Sequence, residues 1–398
     1  MIAGDGVMSA LAAKEPSAEA ARSVRALAFY LPQFHPIPEN DLFWGPGFTE
    51  WTNVTRARPL FHGHQQPNLP GELGYYDLRV PETRHAQAEL ARAHGIEGFV
   101  YWHYWFAGRQ LLQRPFQEVL VSGQPDFPFC LAWANQSWSG IWHGAPNRIL
   151  VEQTYPGVED YRAHFTHLLP ALQDHRYVRV DGKPLLIIYR PTEVPDLRVL
   201  SDVWRTAASR AGLPGLHLVG VDVEENLADP SPWVPADFEF DASILVRMVE
   251  KHRLIPHHPL LRARSHFRRT RLGRRVDSLR TRPFEVFPYD EVAELLVPPE
   301  PPGFEAYPCV IPNWDSTPRS GPNGVVLTGS TPHAFARHVA DAVRFVQHLP
   351  GERRIILIKS WNEWAEGNYL EPDARWGREY LRALATVLGV DSITIPGR

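Results

Sequence analysis

Eight short apolar runs, each set apart from the next by a stretch of different periodicity, constrain this chain more than any other feature. The runs fall at 24–30, 96–101, 127–134, 184–189, 216–222, 238–244, 308–314 and 354–360. Most are nearly continuous in apolar character, as strands buried on both faces should be. Between them, segments 81–94, 116–122, 158–174, 196–211, 331–348 and 376–388 carry apolar residues at amphipathic-helix spacing. Pro81 stands where an N1 proline opens a helix, and Gly95 follows His94 as a C-terminal glycine should. Strand alternating with helix predicts parallel βαβ units, and eight strands close an α/β fold of the (β/α)8 TIM-type barrel. The sixth run is the weakest, because Glu239 and Asp241 interrupt it. A doubly wound open sheet is the alternative. No G-x-G-x-x-G follows the first run, so a dinucleotide role has no support.

At 398 residues the chain fits one barrel domain over 24–390, with a disordered tail at 1–23 and a second tail at 391–398. Its 44% hydrophobic content is ample for a large core, and a net charge of -4 argues against a general nucleic-acid binder. The first twenty residues place Asp5, Lys14 and Glu15 among alanines, without the basic start and apolar stretch of a secretory signal. No run is long enough to span a bilayer. The expectation is a cytoplasmic protein without stable membrane insertion. Cys130 and Cys309 each sit inside an apolar run and read as buried free thiols.

Two segments depart from the alternation. The first connection, 31–76, is long and dense in Trp, Pro, Gly, His and Asn, and loops of that length in a compact domain usually carry function. Segment 251–282 is rich in arginine, with Asp277 as its one acidic residue. It reads as a solvated surface insertion; the alternative is a site for phosphate, a sugar nucleotide or an anionic polymer or lipid.

Barrel enzymes carry their chemistry at the C-terminal strand ends and in the loops beyond. Those positions deliver Tyr30, Gln33 and His35, then Trp44, Glu50 and Trp51, after the first run. The second gives Tyr101, Trp102, His103 and Tyr104, and the third Trp133, Asn135 and Trp138. Tyr189, Asp222, Trp314 and Asp315 follow from later runs, and the eighth ends in Trp361, Asn362, Glu363, Trp364 and Glu366. The chain holds 13 Trp, 13 Tyr and 19 Phe, and packing alone could absorb them. Their placement beside polar groups in Pro/Gly-punctuated segments suits sugar rings, which offer apolar C–H faces and demand hydrogen bonds at their hydroxyls. An oligo- or polysaccharide is the expected partner, with Asn135 and Asp315 as hydroxyl partners. Trp44, Trp51, Trp102, Trp138 and Trp314 are expected to line a groove. Tyr30, Tyr101, Trp133, Tyr189, Trp314 and Glu363 are expected to converge on one rim.

Glu363 and Glu366 are the catalytic candidates. Carboxylates three residues apart in a turn lie within ~6 Å of each other. Retaining glycoside hydrolysis uses a pair ~5–5.5 Å apart, one protonating the leaving oxygen while the other attacks or deprotonates. E-x-x-E is also common on solvated helices, but here Trp361, Asn362, Trp364 and Gly367 flank it directly after the last strand. Rival chemistries have weaker signatures. No G-x-S-x-G elbow and no P-loop are present. His62 with His64, His257 with His258, and His103 with Asp315 lack diagnostic metal-ligand spacing. No metal and no cofactor are expected.

The residues also resemble a known family. Phe29-Tyr-Leu-Pro-Gln-Phe-His-Pro-Ile-Pro-Glu-Asn40 and Gly47-Phe-Thr-Glu-Trp-Thr-Asn-Val54 are similar to the opening of WbsX-type, or glycoside hydrolase family 99-like, proteins. So are Leu73-Gly-Tyr-Tyr-Asp-Leu-Arg79, Phe127-Pro-Phe-Cys-Leu-Ala-Trp-Ala-Asn135, Trp361-Asn-Glu-Trp-Ala-Glu-Gly367 and Leu370-Glu-Pro-Asp373. The resemblance implies a carbohydrate-active barrel related to endo-α-1,2-mannosidases. It implies that Glu363 deprotonates the substrate 2-hydroxyl to form a 1,2-anhydro sugar, while Glu366 protonates the leaving oxygen and then activates water. The reading is a retaining, endo-acting glycosidase on a bacterial polysaccharide or glycan. A glycosyltransferase or transglycosylase of O-antigen-type polysaccharide synthesis is the alternative, although Asp222-Val-Glu224 is a poor D-x-D. A non-catalytic carbohydrate-binding barrel is the third reading.

Overall fold

A strand apolar on both faces needs a packed interior on one side and helices on the other, and a closed barrel supplies both. The computed structural model describes residues 23–140, 145–222, 235–246 and 285–390. Its core strands are β1 (Arg25–Tyr30), β2 (Ile96–Phe106), β3 (Phe129–Trp133), β4 (Lys183–Ile188), β5 (His217–Asp222), β6 (Ala242–Leu245), β7 (Ala306–Val310) and β8 (Ile355–Ile358). Each pairs in parallel with the next in chain order. The ring closes where β1 also pairs with β8, Leu27 lying opposite Leu357. The (β/α)8 barrel is therefore formed from all eight apolar runs, and their C-terminal ends share one rim.

The helices cover the outer face of this wall. Helix Pro81–Ala93 starts with its proline in the first turn, and Gly95 beyond it takes the left-handed φ of +82°. Under that helix the Tyr30 hydroxyl donates to Gln87 at 2.7 Å. Tyr101 packs against Phe116 of helix Arg114–Ser122, and Trp133 against Trp204 of helix Leu197–Arg210. All three strand residues are buried. Cys130 and Cys309 are buried and free. Among the described residues, no helix is long and apolar enough to cross a membrane.

The sixth strand is shorter than its sequence run. Its first residue, Phe238, ends a 3-10 turn, Pro235–Phe238, and Glu239 takes a positive φ of 61°. Asp241, which breaks the apolar pattern, has a defined task. Its carboxylate accepts the Leu218 N–H at 2.8 Å and pairs with Arg205 at 2.8 Å, stapling the entry of β6 to β5. Other elements lie inside segments that periodicity left unassigned. The long first connection contains helices Pro38–Trp44 and Glu50–Arg56, and a two-stranded pair, Glu285–Pro288 with Val325–Thr328, flanks the β7 rim. The tails at 1–22 and 391–398 and the basic segment 251–282 lie outside the described residues.

Asp241→Ala would strand the Leu218 N–H and remove the charged partner of Arg205, which keeps the Leu216 and Glu239 carbonyls. We expect a loss of about 1–3 kcal/mol in denaturant unfolding; an unchanged midpoint would show that the staple contributes nothing.

Candidate functional site

The segment after β8 is tied down before it presents any acid. The Asn362 amide accepts the Leu31 N–H at 2.7 Å and donates to the Leu31 carbonyl at 3.0 Å, locking the last loop to the end of β1. Ser360 Oγ accepts the Glu363 N–H at 2.8 Å and donates to the Asn368 carbonyl at 2.8 Å. A 3-10 turn, Trp364–Glu366, ends at Gly367 with φ +67°. A Cβ there would stand 2.8 Å from the Asp315 nitrogen, which donates to the Glu366 carbonyl at 2.7 Å. Handedness and close approach both require glycine at this position.

These ties bring Glu363 and Glu366 into a buried charge cluster. Arg319, from the short helix Thr317–Ser320, places Nη1 2.6 Å from Glu366 Oε1 and 3.5 Å from Glu363 Oε1. Two contacts to one nitrogen keep these facing oxygens closer than the ~6.5–9.5 Å of an inverting carboxyl pair. Lys359, at the end of β8, lies 3.1 Å from Glu363 Oε2 and 3.9 Å from Glu366 Oε2. Its ammonium also sits 5.8 Å from the Trp102 ring centre and 5.4 Å from that of Trp314, within cation–π range. Arg319 Nη2 reaches Glu50 Oε1 at 2.7 Å, and the same oxygen accepts the Ala365 N–H at 3.0 Å. Three carboxylates thus face two cations.

The two candidate acids are driven apart. Burial raises the Glu363 carboxyl, but Lys359 and Arg319 outweigh it and hold the group below its ordinary value. Glu366 is raised by burial and by the Glu363 charge, which the more distant Lys359 and shared Arg319 do not cancel. Glu50 is also raised, by burial first. Burial lowers the affinity of Lys359 and Arg319 for their protons, yet the surrounding carboxylates raise both overall. A pair with one acid held ionised and its neighbour inclined to keep a proton can both take and give a proton.

Several expected residues gather around this cluster. Trp102 and Trp314 flank Lys359, and Tyr189 packs edge-on against Trp102 with ring centres 5.3 Å apart. Tyr104 is raised by burial and by the nearby Glu363 charge, and Trp138 stands edge-on to it at 5.3 Å. Trp138, Trp314 and Tyr189 are half-buried, as a lining requires. Trp44 is also half-buried and packs on Phe48, while Gln33 accepts the Glu50 N–H through its carbonyl.

Other expected residues do different work, and the groove and rim expectations are corrected there. Tyr30, Tyr101 and Trp133 fill the layer between wall and helices. His103 turns to His164, with Nε2 atoms 2.9 Å apart, and His35 contacts the Pro32 carbonyl. Trp51 is buried and donates to the Tyr76 carbonyl at 2.8 Å. Asn135 spends its amide on the Arg190 main chain and the Tyr155 hydroxyl. Asp315 accepts from Gln66, from Thr317 and across a 2.8 Å contact with His64, which leaves it a strut rather than a free hydroxyl partner. Asn362 is the clamp already described, and Trp364 stacks on Tyr369 with centroids 3.8 Å apart. Asp222 closes β5; its side chain lies outside the described residues.

Arg319 and Lys359 were missed by sequence reasoning. A lysine at the end of the apolar run of β8 was a readable signal, since an unpaired charge there is costly. Arg319 lies in a Pro/Gly/Ser-rich loop and carries no such mark. Among the described residues, no group of three or more His, Cys, Asp or Glu side chains is placed to hold a metal ion.

A parallel eight-stranded (β/α)8 barrel is also the fold of glycoside hydrolase family 99 structures. Comparison with known proteins agrees. A family model described as "Glycosyltransferase WbsX" matches residues 26–384, and the chain belongs to the WbsX family. Two relatives from Xanthomonas campestris pv. campestris, strains B100 and ATCC 33913, are each called "Uncharacterized protein WxcX". Each is 37% identical over 363 residues, covering 91% of this chain and 49% of the relative. The chain thus spans about half the length of these relatives. Among solved structures, a "Glycoside hydrolase-like protein" superposes with a TM-score of 0.56 at 15% identity, covering 92% of this chain and 94% of the other. A glycoside hydrolase family 99 endo-alpha-mannosidase from Bacteroides thetaiotaomicron, in complex with Bis-Tris-propane, gives 0.54 at 14% identity, with coverages of 92% and 96%. At these identities the likeness is one of fold.

Beneath the loop, Glu371 accepts from Tyr76 at 2.8 Å, Gln87 at 2.6 Å and Trp364 at 2.7 Å, yet burial pushes its carboxyl up from 4.5 to about 7. The folded protein then holds a proton that the unfolded chain has released, so stability falls as pH rises from about 4.5 to about 7. The full span is worth about 3 kcal/mol. Glu371→Gln should remove that slope from unfolding free energies measured across this range, whatever its effect on absolute stability. An unchanged slope would place the proton elsewhere.

Proposed function

We propose that this chain is a carbohydrate-active enzyme that cleaves glycosidic bonds with retention, acting on a bacterial polysaccharide or glycan. The observation that carries the reading is the pair Glu363 and Glu366, close together, buried at the catalytic rim and shifted in opposite directions. Ionised Glu363 takes the proton of the substrate 2-hydroxyl, and that oxygen attacks the anomeric carbon to form a 1,2-anhydro sugar. Glu366 gives its proton to the departing glycosidic oxygen. It then takes a proton from the water that reopens the three-membered ring, while Glu363 returns a proton to the 2-oxygen. Two inversions give net retention. Trp102, Tyr104, Trp138, Tyr189 and Trp314 offer ring faces and edges to the sugar, and endo action suits a lining that extends outward from the acids to Trp138.

A second reading is a glycosyltransferase or transglycosylase of polysaccharide assembly, favoured by the description attached to the family model. The same two acids would serve, with a sugar hydroxyl in place of water. Incubation with a panel of bacterial polysaccharides and added oligosaccharide acceptors separates the two: reducing ends accumulate in hydrolysis, and acceptors lengthen in transfer.

Glu363→Gln and Glu366→Gln should both fold and each lose at least about 100-fold in turnover, since an amide keeps the shape but cannot cycle a proton. Their defects should differ in kind. Glu366→Gln should keep activity on nitrophenyl glycosides, whose leaving groups need little protonation; Glu363→Gln should not. 2-Deoxy substrates should be inert, and anomer-resolved NMR should show retention. Wild-type turnover by Glu363→Gln would overturn the assignment. A glycosyl azide of inverted configuration from Glu363→Gln with azide would point instead to direct carboxylate attack.

A further inference from the structure

An acid that must donate a proton is poorly served by a guanidinium 2.6 Å away, because that charge favours the carboxylate. The arrangement around Arg319 resolves the conflict. Its fork is split, with Nη1 on Glu366 and Nη2 on Glu50, so neither acid has the cation to itself. Glu50 is fully buried and anchored through Oε1 to the Ala365 N–H, one residue before Glu366. With every acid ionised, Glu50, Glu363 and Glu366 outnumber Arg319 and Lys359 by one negative charge in a place largely closed to water. One proton makes the cluster neutral.

We propose that Glu50 is a positioning residue that keeps a proton on Glu366 by claiming half of Arg319 and adding the third negative charge to the cluster. This rests on the assignment of Glu366 as the acid. Glu363 is the poorest place for the proton, because Lys359 at 3.1 Å and Arg319 at 3.5 Å both favour its charge. Glu366 has Arg319 at 2.6 Å but shares it with Glu50, has Lys359 only at 3.9 Å and Asn368 at 3.4 Å, and lies beside the Glu363 charge. Tyr104 and Tyr189 face the cluster from β2 and from beyond β4, both raised mainly by burial and so neutral. The Asp315 carboxylate, on the far side of the turn, is engaged with His64, Gln66 and Thr317. Burial raises both Glu366 and Glu50; the Glu50 side chain is wholly enclosed and held by Arg319 and the Ala365 N–H, whereas the Glu366 side chain keeps a small exposure of 7% and lies beside the Glu363 charge.

The test is Glu50→Gln, which keeps an acceptor for Ala365 and Arg319 but removes the charge. Two carboxylates then balance two cations without a proton. The Glu366 proton is read directly, without substrate, as the carboxylic-acid infrared band present in wild type and absent in Glu366→Gln, followed against pH. The same difference is taken between Glu50→Gln and the Glu50→Gln/Glu366→Gln double variant. We expect the proton affinity of Glu366 to fall at least about tenfold, moving the titration to lower pH. In turnover, the alkaline limb should move the same way, with natural glycosides hit harder than nitrophenyl glycosides. An unmoved Glu366 titration overturns the proposal, as does a wild-type acid band that disappears in Glu50→Gln but survives in Glu366→Gln. These outcomes are distinct from failure of the functional reading, which would appear as normal turnover by Glu366→Gln itself. Glu50→Asp, which restores the charge, should recover the higher midpoint more fully than Glu50→Gln; failure to do so also counts against the proposal.

Discussion

The two hydrogen bonds between the Asn362 amide and the Leu31 main chain hold the rest of this site in place. They fasten the loop after the last strand to the loop after the first, across the seam where the ring closes through β1 and β8. Everything the loop presents inherits that fixed position. The cost of burying a carboxylate without partners is several kcal/mol, so Glu363 and Glu366 can be held inside only if cations arrive at defined distances. Lys359 comes directly after β8, Arg319 from the loop after β7 and Glu50 from the loop after β1. These strands are neighbours around the seam. The charge cluster is therefore a product of barrel closure, assembled from strands remote in sequence.

The aromatic residues illustrate a limit that follows from strand geometry. Side chains alternate between faces, so a run of Tyr101, Trp102, His103 and Tyr104 must send its members to opposite sides. Tyr101 and His103 go outward, to Phe116 and His164, while Trp102 and Tyr104 go to Lys359 and the acid cluster. The same parity puts Phe29 against Trp102 and Tyr30 under the helix. Composition could place aromatics at the rim but could not assign their faces, because β-strand register was not yet fixed. Packing against the helices accounts for the outward members, and the inward members face the charge cluster.

The barrel itself was legible because burial on two faces leaves a near-continuous apolar signature in each strand. Asp241 obscured β6 by doing a backbone's work: its carboxylate takes the Leu218 N–H, and a charge used that way looks in sequence like a break. Helices Pro38–Trp44 and Glu50–Arg56 were hidden because each is a short element within a segment dense in Pro, Gly and Asn, whose turn signals mask a brief helical period. Glu363 and Glu366 were legible from their neighbours. Asn135 and Asp315 were misleading for a shared reason: a buried amide or carboxylate near a strand end looks alike whether it binds a hydroxyl or braces a loop, and only the partners in space distinguish the two.

The tension between a family model described as a glycosyltransferase and a fold shared with glycoside hydrolases narrows to one step under the proposed chemistry. Forming the 1,2-anhydro sugar requires the same two proton transfers in either case, and the proposed mechanism gives both to Glu363 and Glu366. What differs is the O–H that later presents itself to Glu366. Carboxylate geometry is indifferent to whether that oxygen belongs to water or to a sugar, since in both the acid accepts one proton at one place. Discrimination must come from the surface that holds an incoming sugar against dilution by water, and a ring face supplies it because stacking favours a pyranose and offers water nothing. Trp138, edge-on to Tyr104 and half-buried, is the ring proposed for that contact. Under the proposed chemistry, the choice between hydrolysis and transfer would be a property of the aromatic lining, separable in principle from the acids.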